Sequence, residues 1–528
     1  MRDFHRPGRS TVHAANGMAA TSHPQASLAA IDVLRAGGTA ADAAVTAAAL
    51  LGVIEPQSTG IGGDGFALYA PGGSDRIAPY NGSGAAPQAA SAAFFLDRKM
   101  TAIPLTGAHA VTVPGNVDLW ATLLEAHGRK GLDAALAPAI RAAEAGYAVA
   151  PRIAWDWARN ADKLRAGINT ARFLLPAGRA PQPGDVIRQG ELAATLRLIA
   201  QHGRDAFYRG RVADDIVSTL RGAGGLHTLD DFAAHRTEQV VPIFTPYRGC
   251  EVWECPPNGP GITVLMMLNL LAAFELGRYG PMSVERFHLE AEATRHAYLM
   301  REGTLGDPRF VDVDVKKLLS HDLAAETAAR IRLDRAGDLE VARPPMNPHT
   351  VYLCVVDRDR NACSLINSIA YAFGAAVMAP GSGVLLNNRG AGFRVEPGHP
   401  NAIAPGKRPL HTLIPGLMTK NGRTIMPFGV MGGQYQPVGH VHLVTNILDY
   451  GLDVQEAIDL PRGLHYEGVY GLEAGVPDAV ARGLAGLGHA IARVEEPHGG
   501  AQAIMIDWQR GVLVGGSDPR KDGCALGY

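Results

Sequence analysis

Asn347-Pro348-His349-Thr350-Val351-Tyr352-Leu353-Cys354-Val355-Val356-Asp357 is the stretch that decides how this chain is read. Its first residues are polar and broken by proline, which neither continues a helix nor sits in a central strand. From Thr350 onward the run is apolar and rich in β-branched residues, as a buried strand requires. Residues 336–348, with Arg343-Pro344-Pro345 and Asn347-Pro348, read as an exposed linker. The polar Asp357-Arg358-Asp359-Arg360-Asn361 is a turn that returns the chain through a second strand over residues 362–368. A threonine at such a junction has a distinctive property. Cut the chain before it, and one residue carries both a hydroxyl nucleophile and a free α-amine to act as its base. The plainer alternative is an ordinary boundary between loop and strand.

Two further features bear on that choice. The hairpin places Ser368 within reach of Thr350, where its hydroxyl would hold the threonine Oγ, although the position also suits a residue facing water. Farther on, Phe428-Gly429-Val430-Met431-Gly432-Gly433-Gln434 sets two adjacent glycines at the end of an apolar strand. Their N–H groups, unshielded by side chains, suit an oxyanion hole, but Gly-Gly turns are common.

Upstream, residues 27–36 have helical spacing and stop at Gly37-Gly38, after which Thr39-Ala40-Ala41-Asp42 forms a capping box. The helix it opens, residues 43–51, is small and apolar and should pack closely. Gly60-Ile61-Gly62-Gly63-Asp64-Gly65 satisfies G-x-G-x-x-G, yet a helix precedes it and a strand-like segment, residues 66–70, follows it. That order is the reverse of the dinucleotide fingerprint, so the segment reads as a tight turn and NAD is set aside. Helices are expected over residues 116–127, 132–145, 190–202 and 211–221. Strands are expected over 230–234 and 240–253, then helices from about residue 262 and over 284–301. After the hairpin come a turn at 380–383, a strand at 384–386 and a helix over 438–448.

The 528 residues carry 49 Lys and Arg against 51 Asp and Glu, a net charge of −2 without runs of one sign, so neither nucleic acid nor an anionic membrane is implied. The length suits one long layered domain or two. The basic opening is followed by His13, Asn16, Ser22 and His23 rather than the apolar core of a secretory signal. The most apolar run, residues 262–274, is too short to span a membrane and contains Asn269, so a cytoplasmic location is expected. Five cysteines without a C-x-x-C pair fit a reducing compartment and argue against structural zinc.

The blocks from Thr350 to Ala362, Phe373-Gly374, Pro380-Gly381-Ser382-Gly383-Val384-Leu385-Leu386-Asn387-Asn388, Lys407-Arg408-Pro409-Leu410, Met431-Gly432-Gly433 and Ser517-Asp518-Pro519-Arg520 together resemble the γ-glutamyltransferase family of N-terminal-nucleophile hydrolases. The resemblance is collinear and extends upstream through Ser22-His23-Pro24, Gly37-Gly38-Thr39, the glycine loop at residues 60–65, Pro256-Pro257-Asn258 and Leu305-Gly306-Asp307-Pro308. It implies an αββα four-layer sandwich built jointly by two autoprocessed subunits. These are a helix-rich large subunit, residues 1–349, and a small subunit, residues 350–528, starting at the catalytic threonine, with a higher oligomer of the heterodimer left open. By the resemblance, cleavage falls between His349 and Thr350, Thr350 is the nucleophile, Ser368 a supporting hydroxyl, and Gly432 and Gly433 the oxyanion hole. No metal or organic cofactor is implied.

The substrate pocket departs from the glutathione-cleaving members. Where they carry a carboxylate-gripping arginine, this chain has Ser83; Gly392 and Ala370 stand in place of the acid and the asparagine that hold the α-ammonium, and His411-Thr412 replace paired serines. Each lost charge-assisted contact is worth about 1.5–3 kcal/mol, so a γ-glutamyl ligand should bind poorly. With Tyr80-Asn81-Gly82-Ser83-Gly84 and Met431-Gly432-Gly433-Gln434-Tyr435-Gln436, the chain resembles the oxamate amidohydrolase branch. Arg389, His411 and Thr412 are then candidates to hold a small carboxylate, with Ser83 and Asn388 beside them. The leading reading is an amidohydrolase converting oxamate to oxalate and ammonia. The alternatives are a γ-glutamyltransferase or glutathione hydrolase with other anchors, and an uncut, inactive family member with a binding role.

Overall fold

The computed structural model describes residues 8–339 and 349–528. The expected hairpin is present: Val351–Val356 pairs antiparallel with Ala362–Ser368, and every residue of both strands is buried. They sit at the centre of a seven-stranded sheet ordered Cys524–Gly527, Met18–Thr21, Val351–Val356, Ala362–Ser368, Asp64–Ala70, Ala78–Gly82 and Glu238–Gln239. Both segments of the expected precursor therefore share one sheet, with hydrogen-bonded ladders crossing between them at Met18–Thr21 and Asp64–Ala70.

A second seven-stranded antiparallel sheet runs Val12–Ala14, Val512–Ser517, Gly500–Asp507, Arg423–Met431, Gly416–Lys420, Cys250–Glu254 and Ile243–Tyr247. It lies face to face with the first, with Tyr352, Cys354, Ile366, Leu417, Met431 and Ile504 packed between them. Helices cover the two outer faces. On the nucleophile sheet lie Pro24–Arg35 and Ala40–Ile54; on the other lie Gly261–Leu271 and Gln436–Leu448. The four layers are thus α, β, β, α, as the resemblance implied.

Sequence chemistry explains the closest of these contacts. Thr39 and Asp42 form the expected capping box, and all fifteen residues of Ala40–Ile54 are buried. Its alanine-rich surface lets the helix lie close over the two hairpin strands. The glycine loop serves the same end. A Cβ at Gly63 would stand 2.2 Å from the Ser368 carbonyl oxygen, and one at Gly62 would stand 2.1 Å from that of Leu385. Both glycines are where they are so that backbone can press against backbone beneath the nucleophile strand.

Two expectations are corrected. Residues 230–234 are not a strand but part of the helix Leu229–Ala234, because Thr228 and Asp231 form a second capping box whose T-x-x-D spacing matches the first. At His349 the chain leading into Thr350 is not exposed either. Residues 340–348 lie outside the described residues, but Arg295 Nη2 donates to the carbonyls of Gly337 and Leu339. On the other side, the His349 N–H donates to the Ala370 carbonyl at 2.7 Å, and its side chain is only 10 % exposed. All five cysteines are free thiols. Among the described residues no helix is long and apolar enough to cross a membrane.

Candidate active site

The hairpin register places Val351 opposite Asn367 and so brings the next pair outward, Thr350 and Ser368, side by side. Thr350 Oγ1 donates to Ser368 Oγ at 3.3 Å, and Ser368 Oγ donates in turn to the His349 carbonyl at 2.8 Å. The N–H of Ala370 donates to the same Ser368 oxygen at 2.8 Å. Ala370 reaches that position with φ of 76°, a left-handed conformation that costs an alanine about 1–2 kcal/mol. The strained turn aims an N–H at Ser368 and fixes its hydroxyl between Thr350 Oγ1 and the His349 carbonyl.

Thr350 faces a cavity of about 280 Å³ shared with His349, Gly432, Gln434, Glu496 and Lys521. Gly432 ends the strand Arg423–Met431 with φ of 121°, and Gly433 follows with φ of 56°. At Gly432 a Cβ would also stand 2.7 Å from the Cα of Gly499. Only glycine permits the chain to turn here, and of the two glycines Gly432 lines the cavity with Thr350 while Gly433 does not.

Gln434 also borders a second, larger cavity of about 420 Å³, lined by Arg301, Glu302, Tyr371, Asn388, Arg389, Arg394 and Thr412 among others. Three guanidinium groups face one carboxylate there. Glu302 accepts from Arg301 at 2.8 Å and from Arg394 at 3.1 Å; burial alone would raise its pKa, but the two arginines outweigh burial and hold it low. Arg389 is 4 % exposed, donates to Thr412 Oγ1 at 3.0 Å and to Asp64 Oδ1 at 3.4 Å, and keeps a buried Nε–H without a partner. Of its five N–H donors, two are spent on the protein in these bonds, which leaves capacity for a carboxylate.

The other candidates fall into place around Arg389. His411 has both ring nitrogens engaged: Leu413 N–H donates to Nδ1 at 3.2 Å, so Nε2 carries the proton and donates to Asp64 Oδ2 at 2.8 Å. Burial first, and then the Arg389 charge, lower its pKa to about 4, so it is a neutral support for Asp64 rather than a ligand for substrate. Asp64 itself is pushed up by burial but held below its ordinary value by His411 and Arg389. Asn388 borders the cavity, yet its amide is occupied by Tyr371 N–H and the Leu105 carbonyl. Ser83 lines neither cavity; its hydroxyl donates to Asn81 and accepts from Asn258, so it braces the loop at Asn258 instead. Sequence reading passed over Asp64, Arg301, Glu302, Arg394 and Gln434. Only Asp64 carried a local signal, a lone acid inside a glycine loop leading into a wholly buried strand.

Residues 26–528 match the profile of the family described as Gamma-glutamyltranspeptidase. The chain belongs to the gamma-glutamyltranspeptidase family. It is accordingly an N-terminal-nucleophile hydrolase. A glutathione hydrolase-like YwrD proenzyme of Bacillus subtilis is 38 % identical, covering 97 % of this chain and 98 % of that one. An oxamate amidohydrolase proenzyme of Klebsiella pneumoniae is 35 % identical, covering 98 % and 100 %. Among solved structures, a cephalosporin acylase from Bacillus halodurans superimposes with a TM-score of 0.94 at 40 % identity, over 100 % of this chain and 99 % of that one. These relatives are thus named for three different substrates.

Proposed function

We propose that this family member cuts itself between His349 and Thr350 and then, through Thr350, hydrolyses the amide of a small acid that bears a second carboxylate. The observation that carries the reading is the hydrogen-bond chain from Thr350 Oγ1 through Ser368 Oγ to the His349 carbonyl. In self-cleavage, Oγ1 attacks the His349 carbonyl carbon, which Ser368 polarises; the C–N bond breaks as the peptide becomes an ester, freeing the Thr350 amine, and water then cleaves that ester to a His349 carboxylate and the Thr350 hydroxyl. In turnover the freed amine accepts the Oγ1 proton, the Gly432 and Gly433 N–H groups stabilise the tetrahedral oxyanion, and ammonia or an amine leaves. Water then cleaves the acyl ester.

The acid half of the substrate follows from charge. Arg301, Arg389 and Arg394 against Glu302 leave the larger cavity cationic, and Arg389 retains unspent donors. Oxamate is the shortest amide with a second carboxylate, and the volume beyond Gln434 admits longer homologues. A γ-glutamyl acyl group is the second reading, supported by relatives named glutathione hydrolase. It needs an acid for its α-ammonium, and among the described lining residues of that cavity the one acid, Glu302, is already held by two arginines.

A denaturing gel tests the first step: two pieces of 349 and 179 residues are expected, the smaller beginning Thr-Val-Tyr-Leu, while Thr350→Ala stays whole. A wild-type chain that stays whole overturns the mechanism. Ammonia release screened over oxamate, longer dicarboxylic monoamides, glutamine and glutathione then separates the two substrate readings.

A further inference from the structure

Thr350 also lines a further polar enclosure, which shares no lining residue with the cationic cavity. A space of about 10 Å³ is lined by Ser22, Glu55, Gln57, Ser58, Thr350, Lys521 and neighbouring residues. That is room for one small polar group. Glu55 caps the buried helix Ala40–Ile54 and is 5 % exposed; its one hydrogen bond here is from Ser22 Oγ to Oε1, at 2.6 Å. Gln57 Oε1, in the same lining, is buried with no partner at all. The loop bearing both is fastened to the turn after Ser368, since Ile369 N–H donates to Ser58 O and Phe373 N–H to Gln57 O. An acid and an unused acceptor thus share a lining with Thr350, and the turnover steps proposed above give them no part.

The chemistry of self-cleavage supplies a use. Hydrolysis of the His349–Thr350 peptide consumes one water and yields a carboxylate and an α-amine that is ammonium until it loses a proton. A buried ammonium requires a counter-charge and hydrogen-bond acceptors. The charged groups around Glu55 are Lys521 and Asp522 from the C-terminal segment and Arg152 and Asp156 from the helix Pro151–Arg159. Arg152 is paired with Asp156 and also with Glu496, so acids outnumber cations here even before Glu55 is counted. We propose that Glu55 is the positioning residue for the freed α-amine of Thr350: its carboxylate faces the α-ammonium, Gln57 Oε1 accepts a second N–H, and together they set the pH at which the amine becomes a base. Burial raises the Glu55 carboxyl to about 7, opposed by the Ser22 hydrogen bond and Lys521, which places it close to an ordinary α-amine at about 7.7–8. The inference rests on the self-cleavage proposed above.

The test reads the amine directly and needs no substrate. Processed protein is treated with trace acetic anhydride across pH 5 to 10, and acetylation of the small-subunit N-terminus is followed by mass spectrometry. An anionic neighbour stabilises the ammonium form, so Glu55→Gln should lower the titration midpoint by about one pH unit or more. The acid limb of kcat/KM, for whichever amide the screen identifies, should move down with it. Ser22→Ala leaves Glu55 in place but removes the bond that favours its ionised form, and should shift the midpoint the same way by less. It carries the test if the Glu55→Gln chain does not fold. Coincident midpoints in wild type and variant overturn the role of Glu55 while leaving self-cleavage intact. An uncut wild-type chain, visible on the gel before any titration, instead brings down the self-cleavage reading and this one with it.

Discussion

Replacing Arg389 with leucine isolates the contact on which the proposed substrate choice depends. Arg389 lines the larger cavity, is anchored by Asp64 and Thr412, and has an Nε–H with no partner. A charge-assisted hydrogen bond to a carboxylate contributes about 1.5–3 kcal/mol, so losing it should lower kcat/KM by roughly 10- to 150-fold at 1.36 kcal/mol per decade. The loss should be confined to acid amides. A neutral amide of similar size, such as propionamide, has no carboxylate to miss and should lose little. The substitution also leaves Asp64, fully buried, with His411 as its remaining partner among those two side chains. Breaking a buried pair costs on the order of 3–5 kcal/mol, and His411, relieved of the Arg389 charge that suppresses its protonation, is the group able to compensate. Arg389→Lys separates the two effects, because it keeps the charge beside Asp64 but not the planar fork. Ammonia release from oxamate, succinamate and propionamide, measured for both variants alongside a melting curve, provides the comparison. Equal losses on acid and neutral amides would mean that Arg389 only holds the fold, and the carboxylate reading would be refuted.

Ser368→Ala removes the hydroxyl between Thr350 and the His349 carbonyl and leaves the Ala370 N–H without its acceptor; a pulse-chase of precursor cleavage should slow by about 100-fold. Gly432→Ala forces a Cβ to 2.7 Å from Gly499 Cα at φ of 121°, and the displaced N–H should lower kcat by about 10²- to 10³-fold with a smaller change in KM. Burial holds His227 neutral, with its pKa lowered to about 4, so the unfolded chain takes up that proton first and wild type loses stability as pH falls from 6.5 to 4. His227→Gln, which keeps a donor toward the Val111 carbonyl, should lose less by an amount on the order of 3 kcal/mol, as read from urea melts at the two pH values.

What the sequence determined by itself is local. The hairpin from Thr350, the buried alanine-rich helix and the turn at Gly432 follow from periodicity, capping boxes and glycine, signals confined to a dozen neighbouring residues. The pairing of Thr350 with Ser368 belongs here too, because a five-residue turn fixes the register between adjacent strands. The T-x-x-D box at Thr228 was equally legible, and reading it would have turned residues 230–234 from strand to helix. The parts that decide specificity left no such trace. Asp64 sits 325 positions from Arg389 and 347 from His411, and the three meet because two sheets and a glycine loop are packed face to face. That meeting made His411 a support rather than a ligand, while Asn81 and Asn258, also distant in sequence from each other, hold Ser83 outside the cavity. Glu55 and Lys521 are likewise brought to line one enclosure with Thr350 by the fold alone. Side-chain chemistry and local spacing specify which bond-breaking groups a chain owns, because those groups act through neighbours on one strand or turn. Which charges surround them depends on distances set by tertiary packing, and electrostatic energy follows distance in space, not separation along the chain.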